Sequence, residues 1–335
     1  MKRCRRANLE ITRRCNLKCK MCFYRHEANF NEDSERPPEE ITNIVRFAKN
    51  RKCEHVTVTG WGEPFLFSDI NGLIKYVREC GLTMSIISNG CIAHDRYQKA
   101  FDLGLDHLHL SAHGIGDVFD EIVGVKNAHK MNHATLEWLR DTRKTFRTNT
   151  TLQRANMKQL PEIAKRNVEM GSMHQVLLGF LPHYHWNDNP EIRKVAAHPL
   201  ELKPYVEQAA DSVLAAGRLL TIRYTPFCCI DRKYWPYIVN ARYVMYDPFE
   251  WDYERMTESD SMLWQTALYI GEMTAIKGEP CSSCNMRMHC GGWNKFYHNA
   301  FPDFPIKPIR EDINQTIGFY HDQNPANQHQ GWFHD

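Results

Sequence analysis

From residue 7 to about residue 228 the chain repeats one pattern. A short run of branched apolar residues is followed by a break, and then by a longer stretch whose apolar positions recur every three or four residues. The short runs are ANLEIT (7–12), HVTVTG (55–60), TMSIIS (83–88), HLHLSA (107–112), RTNTTLQ (147–153) and QVLLGFL (175–181). Each ends near Gly, Asn, Pro or His and predicts a strand. The longer stretches predict helices over 39–50, 68–81 (a Ser cap and a closing Gly), 95–104, 134–145, 159–171 and 202–217. Six βα repeats in series predict an α/β fold with a parallel sheet, curled into a partial (β/α)6 TIM-like barrel. Beyond residue 228 the period is lost. Residues 234–257 are crowded with aromatics, 260–276 reads as a helix, and 300–335 has no clear period. The expected organisation is a barrel over 1–228, a smaller cysteine-rich unit over 229–300 and an aromatic, polar tail over 301–335.

Composition narrows the class only slightly. At 335 residues and a net charge of +2, the chain shows no strong pull toward nucleic acid or an anionic membrane. The basic N-terminus has no apolar stretch behind it, and VLLGFL is too short to cross a bilayer. A cytoplasmic location is expected. In that reducing compartment clustered cysteines are metal ligands more often than disulfides. Twelve cysteines are present, and two groups stand out: Cys15, Cys19, Cys22, and Cys281, Cys284, Cys290 with Cys228 and Cys229 upstream.

The first group follows the first predicted strand, on the face where parallel barrels carry their active sites. Its spacing is C-x3-C-x2-C. A cubane [4Fe–4S] cluster takes four thiolates, so three leave one iron open to bind and activate a small molecule. A zinc knuckle completed by His26 is the rival reading, and it implies a non-catalytic protein.

The cysteine spacing, with Met21 before the third cysteine and Phe23 and Tyr24 after it, resembles the signature of the radical S-adenosylmethionine (SAM) superfamily. VTVTGWGEP (56–64) is similar to that family's glycine-rich segment, and ISNG, LSAHG and RTNTTLQRAN match further strand ends. The resemblance covers roughly residues 7 to 228. It implies a SAM molecule chelated at the open iron and cleaved to a 5′-deoxyadenosyl radical that takes hydrogen from a substrate. It also implies cofactor contacts from Phe23, Tyr24, Gly60, Gly62, Glu63, Ser88, Asn89, Ser111, His113, Asn149 and Arg154. Glu63 is expected to meet the SAM amino group.

Cys281, Cys284 and Cys290 resemble the auxiliary-cluster extensions of that family, the SPASM and twitch types. The full SPASM pattern continues with a cysteine where this chain has Asn294, so one auxiliary [4Fe–4S] cluster is expected. Cys228 or Cys229 is its fourth ligand, with Cys228 preferred and the neighbour pointing away. Four thiolates close that cluster. Zinc remains the rival there too, with His289 or His298 able to substitute.

For the substrate, the first cysteine of the loop, at position 15, is expected to leave no room ahead of it for a peptide-recognition domain. That favours a small polar metabolite such as a carbohydrate or aminocyclitol, with a ribosomally made peptide as the alternative. His183, Tyr184, His185, Trp186 and Asp188, after the sixth strand, are the substrate candidates. Asp247, Glu250 and Trp251 are candidate caps. Cys91 is a candidate hydrogen-atom donor, although a lone cysteine reads first as structural. A flavodoxin or ferredoxin is the expected electron donor, because no flavin or ferredoxin motif is present.

Overall fold

A computed structural model describes residues 6–22, 33–50, 52–59, 62–179, 191–239, 250–252, 275–287 and 290–313. The sheet begins with β1 (Arg6–Leu9), β2 (His55–Val58), β3 (Thr83–Ser88) and β4 (His107–Ser111). It continues through β5 (Phe146–Thr151), β6 (His174–Leu178) and β7 (Leu219–Arg223). These seven lie side by side in chain order and pair parallel throughout. Two short strands extend the edges: β8 (Ile238–Val239) beside β7 and β9 (Glu250–Asp252) beside β1. The result is the expected curled, partial barrel, with one more full strand than the sequence pattern gave. β7 follows directly on the helix before it and is only five residues long, too short to show a period.

The helices are α1 (Pro38–Asn50), α2 (Ile70–Glu79), α3 (His94–Asp102), α4 (Asp117–Val123), α5 (Ala128–Asp141), α6 (Leu160–Glu169), α7 (Ile192–Val195) and α8 (Pro199–Ala215). α4 was not expected, and α5 starts earlier than its apolar period suggested. Asp69, not Ser68, caps α2, accepting from the N–H of Gly72 at 3.0 Å. Ser68 is engaged elsewhere, donating its hydroxyl to Glu35 at 2.6 Å.

Alternation along the strands divides two environments. Ala7, Leu9, Val56, Val58, Met84, Ile86, Leu108 and Leu110 share one core cluster with side chains of α1, α2, α3 and α5. Burying each such side chain contributes about 1.5–3 kcal/mol. The residues between them are polar: His55, Thr57, Ser85, His107 and His109 are all buried on the concave side. His55, Thr57 and Ser85 pair among themselves there. His55 reaches Thr83 Oγ1 through Nδ1 and Ser85 Oγ through Nε2, both at 2.8 Å.

The described C-terminal residues form an antiparallel pair, β10 (Ala275–Ile276) and β11 (Trp293–Asn294), followed by helix α9 (Lys295–Ala300). Met286, Ile309 and Ile313 join the core of α6, α8 and β7, while Phe296, Ala300 and Phe301 pack on α7. The helix expected over 260–276 falls almost wholly outside the described residues, as does the tail from 314 onward. No helix among the described residues is long and apolar enough to cross a membrane.

Candidate active site

The loop carrying Cys15, Cys19 and Cys22 is held from two sides by backbone hydrogen bonds. On one side the N–H of Glu63 donates to the Arg14 carbonyl at 2.7 Å. A Cβ on Gly62 would stand 2.2 Å from that same oxygen, so only glycine permits the approach. On the other side Lys18 N–H donates to Val123 O at 2.8 Å and Lys20 N–H to Ile122 O at 3.0 Å. Gly124, at φ +67°, closes α4 there, and an added Cβ would meet Lys18 O at 2.7 Å. Leu17 is the anchor between them, buried with Phe119, Ile122 and Val123, and Cys15, Cys19 and Met21 pack against the same cluster.

A hydrogen bond from Cys22 N–H to Cys19 O at 3.1 Å turns the loop so that its last two thiols return toward the first. Two asparagines tie it to the end of β3. Asn16 Nδ2 donates to Cys91 O at 2.7 Å, and Asn89 Nδ2 donates to Asn16 Oδ1 at 2.8 Å. The same Asn89 nitrogen lies 4.0 Å from Cys15 Sγ. Asn16 carries no motif signal. Only its position between two of the cysteines could have pointed to it.

The donor set suits a cationic, multi-metal group. Burial pushes the Cys19 thiol far above its ordinary range, and the neighbouring Cys15 and Cys22 push it further. Three thiols that oppose one another's ionisation become thiolates together only around positive charge. Among the described residues, no three His, Cys, Asp or Glu side chains converge on a point suited to one metal ion. A cubane does not require that convergence, since each thiolate binds a different iron. His26, the fourth ligand of the zinc reading, lies outside the described residues, as do Phe23, Tyr24 and Gly60.

Glu63 is bound within the protein through its side chain. It is buried, and its carboxylate accepts from Asn89 N–H at 2.7 Å, Ser88 Oγ–H at 3.0 Å and Phe65 N–H at 3.2 Å. These three internal donors join the glycine-rich loop to the end of β3 through the carboxylate expected at the SAM amino group. Burial raises its pKa to about 7, against the pull of those three donors. Ser88 is internal as well, also paired with Tyr97 Oη at 2.8 Å.

Ser111 and Asn149 are direct register partners across β4 and β5, so the sheet brings two of the predicted contacts together. Asn149 Oδ1 is buried with no partner. His113, just beyond β4, accepts from Thr151 N–H through Nδ1 at 3.2 Å, so its ring proton sits on Nε2. Burial lowers its pKa to about 4, keeping the ring neutral. Asn156, missed in the sequence, clamps both strand ends, donating to His113 O at 2.7 Å and Thr151 O at 2.8 Å. Arg154 turns elsewhere: Nε donates to Arg193 O at 2.9 Å and a terminal nitrogen lies 3.5 Å from Glu201. It docks α7 and α8 rather than facing Ser111 and Asn149. Cys91 is buried against the loop and donates to Ala128 O at 3.4 Å, a structural placement. His183, Tyr184, His185, Trp186 and Asp188 lie outside the described residues, as does Asp247.

The radical SAM superfamily matches residues 9–166. This stretch is a radical SAM domain. A PqqA peptide cyclase from Bradyrhizobium diazoefficiens is 24% identical over 302 residues, spanning 83% of this chain and 78% of that protein. A probable GTP 3′,8-cyclase of Sulfurisphaera tokodaii is 27% identical over 205 residues, 58% of this chain and 64% of its own length. In fold, the chain is similar to SuiB of Streptococcus suis, solved bound to S-adenosylmethionine, with a TM-score of 0.63 over 94% of this chain and 78% of that one at 15% identity. SuiB has also been solved bound to its precursor peptide SuiA, at a TM-score of 0.61 and 16% identity, covering 94% of this chain and 76% of that one.

Outside the radical SAM domain match, Cys228, Cys281, Cys284 and Cys290 line one recess, with Trp293, Lys307 and Ile309 among its walls. Backbone donors point at two of the sulfurs: Ile309 N–H to Cys284 Sγ and Gly292 N–H to Cys290 Sγ, each at 3.3 Å. Such N–H···S contacts are the usual surroundings of cluster-ligating thiolates. The turn Phe227–Cys229 separates the adjacent pair. Cys228 enters the recess, and its thiol is shifted down chiefly by a hydrogen bond from Cys229. Cys229 lines a different cavity and burial drives its thiol upward. Cys228 is the fourth ligand that fits. His289 lies outside the described residues, and His298 is not among the residues lining the recess.

Proposed function

We propose that this radical SAM enzyme acts on a side chain of a peptide, with one auxiliary cluster assisting. The observation that carries this reading is the reach of the similarity to the PqqA peptide cyclase, which spans 83% of this chain and 78% of that protein. The chain also shares its fold with SuiB, whose solved complexes include a precursor peptide. This reading replaces the small polar metabolite expected from the sequence. A second reading, a nucleotide substrate, has the similarity to the GTP 3′,8-cyclase in its favour, although that match covers a smaller part of the chain.

In this reading Cys15, Cys19 and Cys22 would hold a [4Fe–4S] cluster and leave one iron without a protein ligand, where SAM would bind. Once bound, the cluster supplies the electron that cleaves SAM, and the substrate loses a hydrogen atom. The chain's own part is to position. The main chain at Gly62 and Glu63 fixes the cysteine loop, and the Asn16–Asn89 pair holds it against β3. Ser111, Asn149 and neutral His113 offer hydrogen-bonding groups at the barrel mouth, Asn149 with an acceptor still unmet. Cys228, Cys281, Cys284 and Cys290 hold the auxiliary cluster. A flavodoxin or ferredoxin delivers the electrons at roughly −400 mV or below.

The test is an anaerobic assay with SAM, reduced flavodoxin and, in parallel, GTP and the short peptides encoded beside the gene. The reading predicts 5′-deoxyadenosine formation coupled to a change in peptide mass. Deoxyadenosine formation coupled to GTP consumption, with every peptide mass unchanged, contradicts it.

A further inference from the structure

A second cavity lies beside the four-cysteine recess, at the carboxyl end of the sheet. Leu152, Gly179 and Tyr224 line it, each the residue immediately after β5, β6 or β7. In a parallel barrel that is the face where ligands bind. Leu202 and Val206 of α8 form another side, and Trp293 and Tyr297 of the C-terminal unit form a third. Trp293 also lines the recess, so the two spaces share a wall. Tyr224 holds φ at +57°, a left-handed conformation that bulky side chains rarely adopt and that gathers at functional sites. The charge on this wall is already paired inside the protein. Among the described residues lining the cavity, Lys203 is the one ionic side chain, and its ammonium donates to Asp231 at 2.6 Å and to Glu207. A carboxylate or phosphate would find no unpaired cation here, and a buried charge without a partner is strongly disfavoured. Most of the remaining wall is aliphatic or aromatic.

We propose that this cavity seats an uncharged apolar side chain, aliphatic or aromatic, of the peptide substrate, and so selects which residue stands beside the auxiliary recess. The proposal rests on the peptide reading above. It also separates the two substrate readings. Phosphate is recognised through charged donors, and the triphosphate of GTP meets no unpaired cation on this wall.

The experiment uses the full chain, reconstituted anaerobically, and follows binding by saturation-transfer NMR. The probes are N-acetyl-leucinamide, N-acetyl-phenylalaninamide, the α-amide of N-acetyl-aspartate, and GTP. Val206→Phe fills the cavity and Leu202→Ala enlarges it. Both apolar amides are expected to bind more tightly than the aspartate probe by about tenfold or more, and GTP is expected not to displace them. Val206→Phe weakens the leucine probe by about tenfold or more at unchanged iron content. Leu202→Ala shifts the preference from the leucine toward the phenylalanine probe, a change that lost stability alone does not produce. Apolar amides that fail to bind the wild type overturn the proposal. So does wild-type affinity in Val206→Phe or, should that variant not fold, an unmoved size preference in Leu202→Ala. GTP that displaces the leucine probe overturns it in favour of a nucleotide. Any of these results alongside peptide modification in the turnover assay overturns the cavity assignment alone, whereas turnover of GTP with unchanged peptide masses overturns the peptide reading itself.

Discussion

The two thiol sites differ in how they are built. The N-terminal loop offers three thiols and is held by main-chain hydrogen bonds on both flanks, from Glu63 on one side and Val123 and Ile122 on the other. The C-terminal recess gathers four thiols from three separate segments, two of them met by backbone N–H groups. A loop gripped by its backbone leaves its side chains free to present a group with an open corner. A recess that supplies four ligands closes its group and suits it to moving electrons. Met21 links the two regions, packing against the loop's own cluster and against the cluster that α7 shares with α9.

The comparison is broken most severely by removing the N-terminal ligands. Replacing Cys15, Cys19 and Cys22 by Ala is expected to abolish SAM cleavage and to lower iron from about eight to about four per chain. The converse change, Cys281→Ala with Cys284→Ala, is expected to leave deoxyadenosine formation partly intact while product formation stops. Full product yield in that variant would reduce the recess to a structural role.

Gly62→Ala probes the backbone grip. Its Cβ would lie 2.2 Å from Arg14 O, so the loop must move. A loss of at least tenfold in SAM cleavage is expected, with the C-terminal cluster unchanged, since a small misplacement at a reacting centre costs about that much or more. Asn16→Ala removes two hydrogen bonds at the same loop. Its effect is expected to be smaller, about 1–3 kcal/mol of stability by chemical denaturation.

The smallest expected effect is a pH dependence. The folded Glu63 carboxyl, at about 7, ionises less readily than the ordinary value of 4.5. Folding therefore favours its protonated form. Its contribution is fully present below pH 4.5, is lost as the pH rises toward 7, and stays lost above that. Glu63→Gln cannot titrate, so the stability difference between wild type and variant should change across this window and be flat above it. A difference that is constant from pH 4 to pH 8 would contradict the assignment.

What could be read in the sequence was side-chain chemistry at short range. Cys15, Cys19 and Cys22 sit within one loop, and GWGEP carries its glycines together, so both were legible. Alternation in an extended segment predicts only that one of Cys228 and Cys229 faces away, and the preference for Cys228 comes from the family resemblance of PFC; the pair is separated instead by a helical turn at Phe227–Cys229. The long-range partners were not legible. The sequence gives no sign that Ser88 and Asn89, at the end of the next strand, donate to the Glu63 carboxylate. Arg154 resembled another until Arg193 and Glu201 were seen to take it. Val123 and Gly124 grip the cysteine loop through backbone groups that carry no sequence signature, and Asn16 and Asn156 act through carbonyls and amides of residues distant in the chain.

The central claim is that the first site has an open iron and the second has none. EPR of the reduced protein with and without SAM tests it directly, using the Cys15/Cys19/Cys22 variant as the reference for the C-terminal signal. The account predicts that SAM changes the spectrum of the N-terminal cluster and leaves that of the reference variant unaltered. A SAM-induced change in the reference variant, or none in the wild type, would contradict it.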